Sequence, residues 1–171
     1  GLIKLLAALN ELLDELSRII QEEIQLVKRT AKAIEAAEGD DPAAKDPANI
    51  RDQGMQMAQT QEGLRQRTTA FSRGAEGQLQ QLQQQKDAAA SGAAPPGQPV
   101  APLPEGISDQ IRRLKTALEH LNKATEKMGE AETELKKPDL RVGRTREEEA
   151  LAELLKARQA LSPPQGDQGE Q

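Results

Sequence analysis

The sequence predicts an all-α protein, an elongated up-and-down bundle of three long helices and one short helix with a Pro/Ala/Gly-rich crossover linker. Three observations lead there. Aliphatic side chains recur every three, four or seven residues, as in "LLAALNELLDELSRII" (Leu5 to Ile20), and residues so spaced share one face of a helix. Aromatics are nearly absent, with one Phe and no Trp or Tyr, so a thick core built on large rings is not available. The 36% of hydrophobic and 30% of charged residues are mostly Leu, Ile and Ala among Glu, Gln, Lys and Arg, the composition of long helices.

The same composition narrows the function. Without cysteine there are no disulfides, no thiolate catalysis and few routes to a zinc site. A net charge of −5 repels nucleic acid and anionic lipid. No apolar run approaches the roughly 20 residues that span a bilayer. The chain opens at Gly1 rather than Met, so the expectation is a mature or excised segment.

Residues 1–87 read as a long helical hairpin. The first helix is expected from Leu2 to Ala37, where Leu6, Leu13, Ile20, Val27 and Ile34 recur at sevens. Leu5, Leu12, Ile19 and Leu26 precede them by one residue, and Leu2, Leu9 and Leu16 form a third row. Three rows make a broad stripe suited to the inside of a bundle. Glu38-Gly39 before Asp40-Asp41-Pro42 is a stop signal. The second helix is expected from Asp46-Pro47, an N-cap residue followed by proline, to Lys86, with Ile50, Met57, Leu64 and Phe71 at sevens. Gly54, Gly63, Gly74 and Gly77 each weaken it by up to ~1 kcal/mol relative to alanine, and a break near Gly74 is expected.

Residues 88–107 read as a linker of extended or disordered character, long enough to leave the direction of the next helix open. Residues 108–161 read as a second hairpin packing on or beside the first. Its first helix runs from Ser108 to Lys137 with Leu114, Leu121, Met128 and Leu135 in one row and Ala117, Ala124 and Ala131 in another. Pairs four apart, Asp109–Arg113, Glu119–Lys123 and Glu132–Lys136, support its exposed side. The last helix opens at a capping-box match, Thr145 to Glu148, and carries Leu151, Leu154, Leu155 and Leu161. Residues 162–171 read as a disordered tail.

No catalytic constellation emerges, and no cofactor, metal ligand set or small-molecule substrate is expected. His120, the single histidine, sits in a row with Arg113 and Lys127 that points away from the leucines, as a solvated side chain would. The acidic runs Glu22-Glu23 and Glu147-Glu148-Glu149 carry no sign of burial, and Glu147 and Glu148 complement a helix N-terminus. Lys136, Lys137, Arg141, Arg144 and Arg146 crowd one loop with Asp139 alone between them. An anionic partner would fit there, although lysines that end a helix also complement its dipole.

The aliphatic rows admit three uses: an intramolecular core, a lipid-facing surface, or a seam with another chain. The first and third are favoured, because Asn10, Glu11, Asp14 and Glu15 stand on the polar face where lysines would serve an anionic membrane. A protein partner or homo-oligomer is therefore expected, with Leu6, Leu13, Ile20, Val27, Ile34, Ile50, Met57, Leu64, Phe71, Leu114, Leu121, Met128, Leu135, Leu151 and Leu154 as core or interface. Membrane association is possible on this reading but not favoured.

The segments "LLDELSRIIQEEIQLVKRT" (Leu12 to Thr30) and "MAQTQEGLRQRT" (Met57 to Thr68) are followed by the pair "LEHLNKATEKMGEAETEL" and "EEEALAELLKARQAL". In the pair, Met128, Ala131, Leu135, Ala150, Leu151, Leu154 and Leu161 fall at tetratricopeptide-like places. The whole resembles the extracytoplasmic helical region of uncharacterised bacterial envelope proteins with a Gln/Gly-rich low-complexity tail. That resemblance implies a location in the periplasm or envelope, with the cytoplasm as the alternative, and a scaffold-like role. The expected function is a non-catalytic structural or interaction module. The alternatives are an amphipathic lipid- or surface-binding protein and an accessory subunit of an enzyme complex.

Overall fold

A computed structural model describes residues 2–90 and 106–162, with the side chains of 2–6 and 90 outside that description. Within it the protein is all-helical: α1 (Leu2–Glu38), α2 (Pro47–Ala90), α3 (Ile107–Leu135) and α4 (Arg141–Leu161). Residues 91–105, most of the expected linker, and 163–171, most of the expected tail, lie outside the described residues.

The helices form a ring in which α1 packs on α2, α2 on α3, α3 on α4 and α4 back on α1. Side-chain pairs fix the directions. Glu23 meets Gln61 and Thr30 meets Met57, so α1 and α2 run antiparallel. Arg65 holds Glu132 and Thr68 reaches Met128, so α3 runs antiparallel to α2. His120 meets Glu153 and Lys127 meets Glu149, which turns α4 back again. The up-and-down order left open by the long linker is thereby settled, and the loops at 39–46 and 136–140 stand at the same end of the bundle.

Burial follows rows of seven. On α1 the buried centre is Leu9, Leu16, Glu23 and Thr30; on α2 it is Gly54, Gln61, Thr68, Ala75 and Leu82. On α3 it is Ile107, Leu114, Leu121, Met128 and Leu135, flanked by Ala117, Ala124 and Ala131. On α4 two rows are buried, Gly143-Ala150-Ala157 and Glu147-Leu154-Leu161. Small residues bring α2, α3 and α4 close together. A methyl added at Gly54 would collide with the Leu135 carbonyl oxygen, and one at Gly143 would lie 2.8 Å from Leu135 Cδ2. By contrast α1 offers the bundle Leu9, Leu16, Ile19, Ile20 and Leu26, side chains that hold helix axes further apart.

Two boundaries, the end of α2 and the start of α4, differ from the sequence expectation by four residues. Helix α2 does not break near Gly74 but runs on to Ala90, three residues into the expected linker. Phe71, Ala75 and Leu82 around that glycine are buried in the main core, and this packing outweighs the propensity cost of a glycine whose added methyl would meet open space. Helix α4 starts at Arg141, four residues before the expected capping box. The Asp139 carboxylate accepts the Arg141 backbone N–H at 3.1 Å, and Thr145 lies inside the helix with its hydroxyl donating to the Arg141 carbonyl. Glycine 106, at φ 90°, precedes α3, where the left-handed conformation is open to glycine at little cost.

Candidate functional site

The core is not continuous. A large apolar cluster joins Leu16, Ile20, Phe71, Leu114, Leu121 and Leu154 with their neighbours. A smaller one near the loops joins Leu26, Met57, Ala58, Leu64, Leu135 and Leu140. At their junction and within the smaller cluster the same rows carry Glu23 and Thr30 from α1, Gln61 and Thr68 from α2, and Glu147 from α4, all with no exposed surface.

Each polar group arrives by the register of its helix. Glu23 lies seven residues beyond Leu16, Gln61 seven beyond Gly54, and Glu147 seven before Leu154. The Gln61 amide donates to Glu23 Oε2 at 2.9 Å. Thr68 donates to the Leu64 carbonyl at 2.7 Å. The Thr30 hydroxyl has one hydrogen but stands within reach of three acceptors: the Leu26 carbonyl at 3.1 Å, Met57 Sδ at 3.3 Å and Glu147 Oε2 at 3.1 Å. A protonated Glu147 removes the conflict, donating to Thr30 Oγ1 while Thr30 donates to Leu26. The remaining oxygens, Glu23 Oε1, Gln61 Oε1 and Glu147 Oε1, have no protein donor.

Electrostatics point the same way. Burial pushes the Glu23 carboxyl up to about 7, against the pull of the Gln61 hydrogen bond. Burial pushes Glu147 up to about 8; the contact with Thr30 and the charge of Arg29 work against it, and the charges of Glu23 and Glu148 add to it. An ionised carboxylate without a partner in a dry interior is costly, so such groups take a proton instead. Burial thus biases both carboxyls toward their protonated forms, Glu147 more than Glu23, and the chemistry open to the layer is the holding and release of protons. Among the described residues no three of His, Asp or Glu stand as a metal site.

The expectation that the glutamate runs are solvated is thus corrected for Glu23 and Glu147, while Glu22 beside Glu23 is exposed and bound by Arg67. His120 is also misplaced by the sequence reading. It is half-buried, with Nδ1 2.7 Å from Glu153 Oε2 of α4, because its row faces the neighbouring helix rather than water. Glu132, expected to pair with Lys136, is taken by Arg65 of α2, whereas Arg113 does hold Asp109 at 2.7 Å.

The anticipated core and interface residues fall in two groups. Ile20, Met57, Leu64, Phe71, Leu114, Leu121, Met128, Leu135 and Leu154 are buried; Leu13, Val27, Ile34, Ile50 and Leu151 are half-buried. The side chain of Leu6 lies outside the described residues. The basic loop cluster meets more acid than Asp139. Arg141 binds Glu38 at 2.6 Å, Lys137 binds Glu134, Arg144 binds Glu148 and Arg146 binds Glu149. Lys136 is exposed.

The signal that could have found the polar layer was the phase of the rows. Extending Leu2-Leu9-Leu16 by seven reaches Glu23 and Thr30, and a row that is central at three positions is central at the next two. Comparison with protein-family models, curated proteins and solved structures finds no match to this chain.

Proposed function

We propose that this chain is a non-catalytic interaction module, a scaffold or assembly subunit that binds protein through apolar side chains left at its surface. The observation that carries this reading is the residue of apolar surface after the bundle has closed. Met55 is 40% exposed, Val142 43% and Leu155 38%, and Leu13, Val27, Ile34 and Leu151 are only half-covered. Large aliphatic groups on otherwise charged helices are what a partner's apolar face would cover. Two further observations support it. The groups with strongly shifted protonation are sealed from water, whereas a general acid or base must reach its substrate. On α1, Leu9, Leu16, Ile19, Ile20 and Leu26 are spent inside the bundle, which leaves a lipid surface only the half-covered flank of the apolar stripe. The resemblance to envelope proteins supports the bacterial envelope as the place of action.

The test is association. Light scattering should give a mass above that of one chain, or immobilised protein should retain a defined partner. Leu155→Glu with Val142→Glu should abolish that association while leaving the helical circular dichroism unchanged. A monomer that retains nothing, or an association indifferent to both substitutions, contradicts the reading. Helicity that rises strongly only on adding vesicles would favour the lipid-binding alternative instead.

A further inference from the structure

We infer that Glu23 and Glu147 form a proton-operated latch that seats α1 in the bundle: with both carboxyls protonated α1 is docked, and loss of the protons releases its apolar face. The inference rests on the reading of this chain as an interaction module, whose binding surface the latch would regulate.

The latch is built from groups on three helices. Glu23 and Thr30 belong to α1, Gln61 to α2 and Glu147 to α4. Both hydrogen bonds involving these carboxyls therefore cross from α1 to another helix. From α3, Met128 reaches Thr68 of the layer, and neither it nor the buried Ala131 carries a charge. The charged groups nearby are engaged elsewhere or of the wrong sign. On α2, Arg65 is bound to Glu132 of α3, and Arg67 to Glu15 and Glu22 of α1. On α3, Glu130 lies beside Lys127. On α4, Arg146 is bound to Glu149, Arg144 to Glu148, and Glu148 itself opposes ionisation of Glu147. Arg29 of α1 alone favours an ionised Glu147. Neither carboxyl has an ion-pair partner among the described residues, so an ionised pair keeps only the hydrogen bonds from Gln61 and Thr30, with no opposite charge bound to it.

A groove of about 410 Å³ between α1 and α2 is lined by Arg29, Lys32, Gln53 and Met57, and the Met57 sulfur lies 3.3 Å from Thr30 Oγ1. The helix that must move is α1, because α2, α3 and α4 are held closely by Gly54, Gly143 and the alanine rows. The proton balance is explicit. Docked α1 holds protons on carboxyls raised to about 7 and about 8, and undocked α1 returns both groups to ordinary carboxylates. Undocking therefore releases up to two protons. The ratio of undocked to docked α1 rises by roughly tenfold per pH unit for each carboxyl between its ordinary value of 4.5 and its docked value, about 7 for Glu23 and about 8 for Glu147, and levels off above it.

The absence of native cysteine makes the test direct. Spin labels on Gln25→Cys of α1 and Asn122→Cys of α3, both exposed, report the separation of these diagonal helices by pulsed electron resonance. The full chain at pH 5.5 should give one narrow distance, with a longer, broader population growing as the pH is raised to 9. In the Glu23→Gln, Glu147→Gln background the distance should stay narrow at both pH values, because each amide stands for a neutral carboxyl. Should that background fail to show helical circular dichroism at pH 5.5, the pH series of the labelled wild-type chain decides alone. A wild-type distance that does not change between pH 5.5 and 9, or a folded double variant that lengthens as wild type does, overturns the latch. Loss of the latch leaves the association assay standing, since that assay needs no movement of α1. An α1 that moves with pH in a chain that binds nothing would retain the latch and remove the interaction module.

Discussion

Away from the hairpin loops the four helices meet through Leu16, Ile20, Phe71, Leu114, Leu121 and Leu154. Closer to the loops the same rows of seven present Glu23, Thr30, Gln61, Thr68 and Glu147, interleaved with the apolar side chains Leu26, Met57, Leu64 and Leu135. The two regions share helices, spacing and burial, and differ only in what occupies the row. At the apolar end stability comes from area removed from water, which is non-directional. In the polar layer each group must find a specific partner or a proton. A one-turn slip of α1 would move leucine onto leucine at the apolar end but part Thr30 from Glu147 and Glu23 from Gln61 in the layer. The layer thus specifies register and direction, as polar core positions do in helical assemblies, and the apolar end supplies most of the stabilisation.

This contrast can be broken by substitutions of graded severity. Leu121→Glu places a carboxylate in the apolar cluster with no partner and should cost about 4 kcal/mol or more, enough to abolish the cooperative thermal transition. A folded Leu121→Glu chain would mean that the cluster does not carry the fold. Next comes Gly54→Ala, whose methyl would collide with the Leu135 backbone; a loss of about 1–3 kcal/mol by urea titration is expected. Gly143→Ala, whose methyl would meet the Leu135 side chain at 2.8 Å and its backbone nitrogen no closer than 3.3 Å, should cost less than Gly54→Ala.

The polar layer responds to pH where the apolar end does not. Glu23 and Glu147 have folded pKa values raised to about 7 and about 8. The folded state therefore binds more protons than the unfolded chain between roughly pH 4.5 and 8, and stability falls as pH rises through that window. The melting temperature should be higher at pH 5.5 than at pH 8.5, and Glu147→Gln should flatten the difference. An unchanged slope in Glu147→Gln would remove that residue from the layer's titration. The smallest effect sharpens the comparison from outside. Gly74→Ala and Gly63→Ala meet open space and should each stabilise α2 by up to ~1 kcal/mol, independent of pH.

Much of this was legible in the sequence, and the failures share a cause. Repeats of seven placed α1 within one residue of its end and located the start of α2 at Pro47. The direction of α3 was not legible, because about twenty linker residues permit either, and only contacts such as Arg65–Glu132 decide it. Gly74 was read by propensity, whereas Phe71, Ala75 and Leu82 around it were already spaced for burial. Glu23 and Glu147 were hidden by their neighbours: Glu22 and Glu148 are exposed, and a run of glutamates looks solvated until the phase of the row shows that one member points inward. The row of His120, Arg113 and Lys127 points away from the leucines of α3 yet is half-buried, with His120 and Lys127 meeting α4, so the phase within one helix does not reveal which neighbour covers its flank.

The central claim is that two glutamates in the middle of the bundle are buried and carry protons near neutral pH. Carbon-13 NMR of the side-chain carboxyls, followed from pH 3 to 9 in the full chain, tests it most directly. Two glutamate resonances, assigned by their loss in Glu23→Gln and Glu147→Gln, should titrate with midpoints near 7 and 8. Midpoints for both residues near the ordinary carboxylate value of 4.5 would contradict it.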